Sequence, residues 1–396
     1  VSDLTLIGDI FKVSSGGTPS RKKEEYFLDG HIPWVKTGDL KGKFANKSTE
    51  FITQLGLEES SAKLCPPKTV LLAMYGATIG ACSVLPFEAA TNQACAAIFP
   101  IDNFSEIYLY YYFCSIKDVL VRKGVGGAQP NISLGIIKKI RIPLPPLKEQ
   151  QKIADILDAA DSLRQKDRQL IEHYTRLGQS LFLDMFGDPV INPMGWKSTK
   201  LENISDIVSG VTKGRKIKSG DVFDIPYMRV ANVQAGYLDL KEVKTLPGTK
   251  GDISKFVLKQ GDVLLTEGGD PDKLGRGTVW NNEIKNCIHQ NHIFRVRLTC
   301  TKSIPIYLSR LCGSEYGKRY FLKSGKQTTG IASINKAQLN RFPVLRPPIE
   351  LQNTFAQHIE KIEQQKQQVE ANLVKSEALF NSLLQRAFKG ELTGNS

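Results

Sequence analysis

The stretch "IPLPPLKEQQKIADIL", Ile142 to Leu157, returns some 200 residues later as "LRPPIELQNTFAQHI", Leu345 to Ile359. Each pairs two prolines with a polar segment whose apolar residues recur at steps of three and four. Proline has no N–H to give a helix interior and holds its predecessor extended, so a proline pair marks a helix entry. Glu149 and Glu350 then fall where the positive end of the helix favours an acid. Superposing Pro145-Pro146 on Pro347-Pro348 sets an offset of 202, under which Gln150 meets Gln352, Ala154 meets Ala356, and Phe186 meets Phe388. Upstream the offset is 193: "IPWVKTGDLKGKF" from Ile32 faces "IPYMRVANVQAGYL" from Ile225, and Val70-Leu71-Leu72 faces Val263-Leu264-Leu265. Insertions between two diverged copies leave such a pair of offsets. The chain reads as a tandem duplication, a globular part and then a helix, twice.

After Ile153 the helical steps land on Ile156, Ala160, Leu163, Asp167, Leu170, Tyr174, Leu177, Leu181 and Asp184. After Phe355 they land on Ile359, Ile362, Lys366, Val369, Leu373, Ser376, Phe380, Leu383 and Ala387. Two long, narrow apolar stripes of this sort predict a coiled-coil pair. The pairing residues are expected to be Ile153, Ile156, Leu163, Leu170, Leu177 and Leu181 on one helix. On the other they are Phe355, Ile359, Ile362, Val369, Leu373, Phe380 and Leu383. Asp167 and Lys366 interrupt the stripes and are expected to pair or to lie at a wet seam. A whole globular domain separates the helices, which permits an antiparallel pair and a pseudo-two-fold relation between the copies. The expected fold class is α+β: two mixed α/β domains, residues 1–142 and 189–344, with two long antiparallel coiled-coil helices at 143–188 and 345–396.

Composition is ordinary, 41% hydrophobic and 23% charged. The longest apolar runs, such as Thr69 to Tyr75, are far short of the roughly 20 residues that span a bilayer. No basic stretch followed by an apolar one opens the chain, so no secretion signal is expected and a cytoplasmic location is. Seven cysteines without a Cys-x-x-Cys pair point to reduced thiols rather than a disulfide frame or zinc site. His289 and His292, in "HQNH", lack the further ligands a metal requires, and none is expected. The net charge of +13 is unevenly placed: residues 190–343 hold 25 basic against 13 acidic side chains. A face that grips phosphates accounts for that excess.

Chemistry is absent from the motifs. The chain has no phosphate-binding Gly-x-x-x-x-Gly-Lys-Ser/Thr, no Gly-x-Gly-x-x-Gly, no Gly-x-Ser-x-Gly and no His-Glu-x-x-His. The Asn/Asp-Pro-Pro-Tyr signature of amino-methyltransferases is missing too. A binder without cofactors is expected rather than an enzyme, and two kinds remain open: a DNA reader, or a coiled-coil scaffold that binds only protein.

The duplicated plan resembles the specificity subunit of type I restriction-modification systems. The resemblance is carried by "SSGGTPSR" (Ser14 to Arg21), "IPWVKTGDL", "MYGATIGACSV" (Met74 to Val84), "TNQA" (Thr91 to Ala94), "AQPNIS" (Ala128 to Ser133) and "PLPPLKEQQKIADIL". The second half answers with "IPYMRVANV", "HQNH", "GKQTTGIASIN" and "RPPIELQ". It departs at Ser209 to Lys218, "SGVTKGRKIK", where no clean "GGTPSR" stands, so its half-site is expected to differ. The resemblance implies two target-recognition domains that read a bipartite, interrupted double-stranded DNA sequence, with the helices as a ruler between them. It further implies two docked methylation subunits, joined by restriction subunits. Methylation of adenine and ATP-dependent cleavage then belong to the assembled complex, not to this chain.

Loops of each domain are expected to enter the major groove, polar and guanidinium groups reading base edges while lysines hold the backbone. The residues chosen are Arg21, Lys36, Thr37, Thr78, Gln129 and Asn131 in the first domain. In the second they are Lys213, Arg215, Lys216, Arg229, Asn232, Lys273, Arg276, Lys326 and Gln327.

Overall fold

The computed structural model describes residues 4–124, 130–217, 221–269, 274–328 and 331–392; the side chains of 326–328 and 331 lie outside that description. The chain divides into two compact units, one of residues up to Gln169 together with those from Glu370 onward, the other from Leu170 to Val369. Each unit therefore joins a globular part to a stretch of both long helices.

The first unit runs β1 (Leu4–Leu6), α1 (Ile7–Ile10), β2 (Val13–Ser15), β3 (Ile32–Val35), β4 (Phe51–Ile52), α2 (Gln54–Glu58), β5 (Leu64–Cys65), β6 (Val70–Ala73), β7 (Cys82–Val84), β8 (Ala89–Thr91) and β9 (Cys95–Ile98). Then come α3 (Glu106–Ser115), α4 (Lys117–Lys123), α5 (Leu134–Lys138), β10 (Arg141–Pro143) and the long α6 (Leu147–Phe186). One four-stranded sheet has the order β2-β9-β6-β7 and a second β4-β3-β8-β5 with β3 and β8 parallel, while β1 pairs with β10. Every residue of β6 and β9 is buried, as short unbroken apolar runs require. The five aromatics from Tyr108 to Phe113 are core residues on α3.

The second unit repeats the plan: β11 (Ser198–Lys200), β12 (Ser205–Ser209), β13 (Phe223–Met228), β14 (Lys244–Gly248), α7 (Lys250–Phe256), β15 (Val263–Thr266), β16 (Gly268–Gly269), β17 (Gly277–Val279), β18 (Ile288–His289) and β19 (Ile293–Leu298). It continues with α8 (Pro305–Gly313), α9 (Glu315–Ser324), β20 (Lys326–Thr328), β21 (Ile331–Ser333), α10 (Lys336–Asn340), β22 (Pro343–Leu345) and the long α11 (Ile349–Ala387). The order β12-β19-β15-β17 matches β2-β9-β6-β7, and β14-β13-β18, with β13 parallel to β18, matches β4-β3-β8. Among the described residues the sheets thus correspond, except that β5 has no counterpart in the second unit and the sheet β16-β21-β20 none in the first.

The repeated phrases do the same work in both units. Gln150 is 1% exposed; its Nε2 donates to Pro145 O at 2.9 Å, and its Oε1 accepts from Ser105 N, the cap of α3, at 2.9 Å. Gln352 is fully buried; its Nε2 donates to Pro347 O at 2.9 Å, and its Oε1 accepts from Ile304 N, the cap of α8, at 3.1 Å. Tyrosines follow suit, Tyr108 donating to Pro143 O and Tyr307 to Leu345 O, each at 3.1 Å.

The helices, 40 and 39 residues long, extend about 60 Å each. In the first unit Ile153, Leu157 and Ala160 share a core with Phe380, Leu384 and Ala387, and Ser376 Oγ donates to Asp167 Oδ2 at 2.7 Å. In the second unit Phe355 meets Phe182 and Phe186 at ring distances of 5.7 and 5.2 Å. Within each unit the pairing runs antiparallel.

Every expected stripe position of α11 faces inward at least in part, from Phe355 to Leu383. On α6 the expectation needs correction. Ile153, Ala160, Asp167 and Leu181 face in, whereas Leu163, Leu170 and Leu177 are 47%, 43% and 40% exposed. Their seam places belong to the residues one step on, Arg164, Ile171 and Gly178. Arg164 fits because its guanidinium lies 3.7 Å above the Phe380 ring and its Nε donates to Asp161 at 2.6 Å. Gly178 leaves space that Ile359 approaches, 3.5 Å from where a Cβ would stand.

Replacing Gln352 by leucine strands the Pro347 carbonyl and the Ile304 amide in the interior. Urea unfolding is expected to show a loss of about 2–4 kcal/mol; a loss under about 1 kcal/mol would deny the glutamine its role.

Candidate nucleic-acid interface

The turn after the parallel strand is built alike in both units. Asp39 Oδ2 accepts from Lys36 N at 2.9 Å, closing a single tight turn over Thr37–Asp39. Asn232 Oδ1 accepts from Arg229 N at 3.0 Å in the same way. The turn aims Lys36 and Arg229 at carboxylates. Lys36 pairs with Glu50, which also holds Arg21, and the Arg21 guanidinium lies 4.6 Å over Phe27 and 5.2 Å over Trp34. Arg229 pairs with Glu242 at 2.9 Å, and Lys244 reaches the other oxygen at 3.3 Å. The Lys36 hydrogen bond above all holds the Glu50 carboxyl below its usual range, and the Arg229 bond does so for Glu242.

Asn232 does not belong with the base readers. It is 2% exposed, and its Nδ2 donates to Asp239 O at 2.7 Å and Glu242 O at 3.0 Å, so its amide shapes the loop from inside. Thr37 is half-buried in the matching turn.

A second cluster joins two loops. In the first unit Gly76 N donates to Pro130 O and Ile132 N to Met74 O, each at 2.9 Å, which lays Asn131 beside Tyr75. Both are exposed, and Thr78 donates to Tyr75 O at 2.8 Å. Gln129 lies outside the described residues. In the second unit Ile334 N donates to Glu267 O at 2.9 Å, and β16 pairs with β21. Lys326 and Gln327 sit on β20, with side chains outside the description; Lys273 is outside it altogether. Arg276 Nη2 approaches Val230 O at 3.5 Å, and its buried Nε finds no partner among the described residues. Lys213 and Lys216 are exposed, while Arg215 pairs with Asp252, which caps α7.

Glycine has one positional duty here. A Cβ on Gly16 would stand 2.0 Å from Thr91 O, and one on Gly210 1.9 Å from His289 O. The strand end thus lies directly against "TNQA" in one unit and "HQNH" in the other. Gly17 and Val211 follow in step, donating to Thr91 O at 2.9 Å and His289 O at 2.8 Å. The departure at "SGVTKGR" therefore leaves the backbone plan unchanged. His289 is fully buried, its Nδ1 3.0 Å from Ile293 O, and burial pulls its pKa down to about 4. Among the described residues no group of three potential ligands gathers for a metal.

Glu50, Glu242 and Lys244 escaped the sequence reading. They stand on the strand side opposite the turn, where Trp34 N donates to Glu50 O at 2.9 Å and Tyr227 pairs with Lys244. Only strand register brings them there.

Comparison with known proteins matches both halves of the chain. The family model described as type I restriction modification DNA specificity domain fits residues 5–173 and again 193–375. The type I restriction enzyme EcoKI specificity subunit of Escherichia coli K12 is 24% identical over 94% of this chain and 85% of its own length. The MjaIX specificity subunit of Methanocaldococcus jannaschii is 30% identical over 59% of this chain and 58% of its own. Among solved structures, the S subunit of a type I system from M. genitalium shares the fold at a TM-score of 0.56 and 15% identity, covering 98% of this chain and 96% of that one. A chain from a study of complex assembly and conformational transition of the type I system does so at 0.61 and 16%, covering 98% of each.

Arg276→Ala is expected to weaken specific duplex binding by about 1–3 kcal/mol and to relax one base pair of one half-site. Binding-site selection on the variant reads both, and unchanged affinity with unchanged preference would remove Arg276 from the interface.

Proposed function

We infer the function from kinship: this chain belongs to the type I restriction-modification DNA specificity family and is the specificity subunit of such a system. It carries DNA recognition rather than catalysis, and the scaffold reading finds no support in that kinship.

Beyond this, we propose that the chain reads a bipartite, interrupted target, one half-site per globular domain, through the turn and loop clusters. The observation that carries the proposal is one strand plan bearing two surface chemistries. Where Glu50 faces Lys36 in the first domain, Lys244 stands beside Tyr227 in the second, and Met74 and Tyr75 of the first domain are answered by Glu267 and Gly268. Scaffolds with matching strand orders hold loops at equivalent positions, and different side chains there select different base edges. The basic excess of the second domain supplies sequence-blind affinity for phosphates.

The long helices set the gap between half-sites in this proposal, and they carry the docking faces for two methylation subunits. Leu163, Leu170 and Leu177, seven residues apart and exposed, form an apolar stripe on α6 suited to a helical partner. Restriction subunits join through that complex, in the cytoplasm; S-adenosylmethionine and ATP belong to the partners. Among the described residues no helix is long and apolar enough to cross a membrane.

Mapping methylated bases across the source genome, with and without this gene, tests the reading. Deletion is expected to erase one asymmetric, interrupted motif. If the partners are expressed and every motif persists, the bipartite reading fails.

A further inference from the structure

Each globular domain holds one carboxylate shared by two cations beside the turn that follows its parallel strand. Glu50 is shared by Lys36 and Arg21, Glu242 by Arg229 and Lys244. The two triads are not position-for-position copies. Lys36 and Arg229 follow equivalent strands, but Lys244, not Glu242, occupies the strand position that Glu50 holds in the first unit. The carboxylate has moved by two residues and the second cation has changed its origin, yet each triad again contains two cations and one acid.

Stability accounts for one ion pair of each triad at most. The side chains of Lys36 and Arg229 are 29% and 21% exposed, but the second pair of each triad is open to water, Arg21 at 56% with Glu50 at 29%, and Lys244 at 52% with Glu242 at 67%. Ion pairs so open are screened and add little to folding. Their electrostatic effect is felt instead by whatever approaches the face.

We propose that Glu50 and Glu242 are internal counter-anions that weaken sequence-blind phosphate binding by the cations they share. The inference rests on the DNA reading above. Two free cations at such a corner would attract the backbone of any duplex, because that attraction carries no sequence information. A carboxylate between them offsets part of the attraction, while base-edge contacts made only on the target are untouched. The subunit then leaves wrong DNA sooner.

The test is titration of the full chain with a duplex of random sequence over a range of salt, for wild type, Glu50→Gln and Glu242→Gln. Glutamine keeps the shape and removes the charge, and the exposure of Glu242 makes that variant tolerant in folding. Each variant is expected to bind random duplex several-fold more tightly at low salt, with a slope of log affinity against log salt steeper by about one. Equal or weaker binding by both folded variants, with wild type still binding in a salt-dependent way, would overturn the proposal. Wild type that binds no duplex at any salt would instead strike the DNA reading beneath it.

Discussion

A proline pair can start a helix, but a buried hydrogen-bonding group decides the direction in which that helix leaves. Gln150 and Gln352 are that group in the two halves, each tying the proline turn, the first helical turn and the cap of an earlier helix into one knot. A hydrogen bond of this kind contributes only about 1 kcal/mol net, yet leaving its partners unmade in the interior costs more. The knot fixes geometry more than it adds stability. The tyrosines that donate to Pro143 and Leu345 tie the same turns to the core of each unit.

Much of this was legible beforehand, because the duplication supplies its own internal comparison. Gln150 and Gln352 meet at the offset of 202, and the two strand plans correspond at nearly constant spacing. The α11 stripe was readable throughout, since apolar residues hold most of its seam. The α6 stripe was readable in only half its positions. Hydropathy places Leu163, Leu170 and Leu177 inside, but a guanidinium stacked on Phe380 and bonded to Asp161 satisfies a seam position as well as leucine does. Glycine at 178 does so by letting Ile359 in. Neither solution has a hydropathy signature, and the leucines are left exposed.

The turn and loop clusters show the same division. Lys36 and Arg229 stood out because "VKTGD" and "MRVAN" follow matched strands. Asn232 misled, since a polar side chain in a loop looks outward until its hydrogen bonds are found pointing in. Glu50, Glu242 and Lys244 were invisible because ion pairs across a strand pair depend on register, which no local motif encodes. Two readers on one scaffold can diverge this freely because the backbone contacts beneath them, Gly16 on Thr91 and Gly210 on His289, are kept.

The proposal most open to test is that the long helices set the gap between two half-sites. Removing one heptad from α6 and a matched heptad from α11 shortens each helix by about 10 Å, roughly three base pairs of DNA. The methylated motif of the reassembled complex is then sequenced. Unchanged half-sites with a shorter gap are the predicted result; an unchanged gap from a complex that still assembles and methylates would contradict the account.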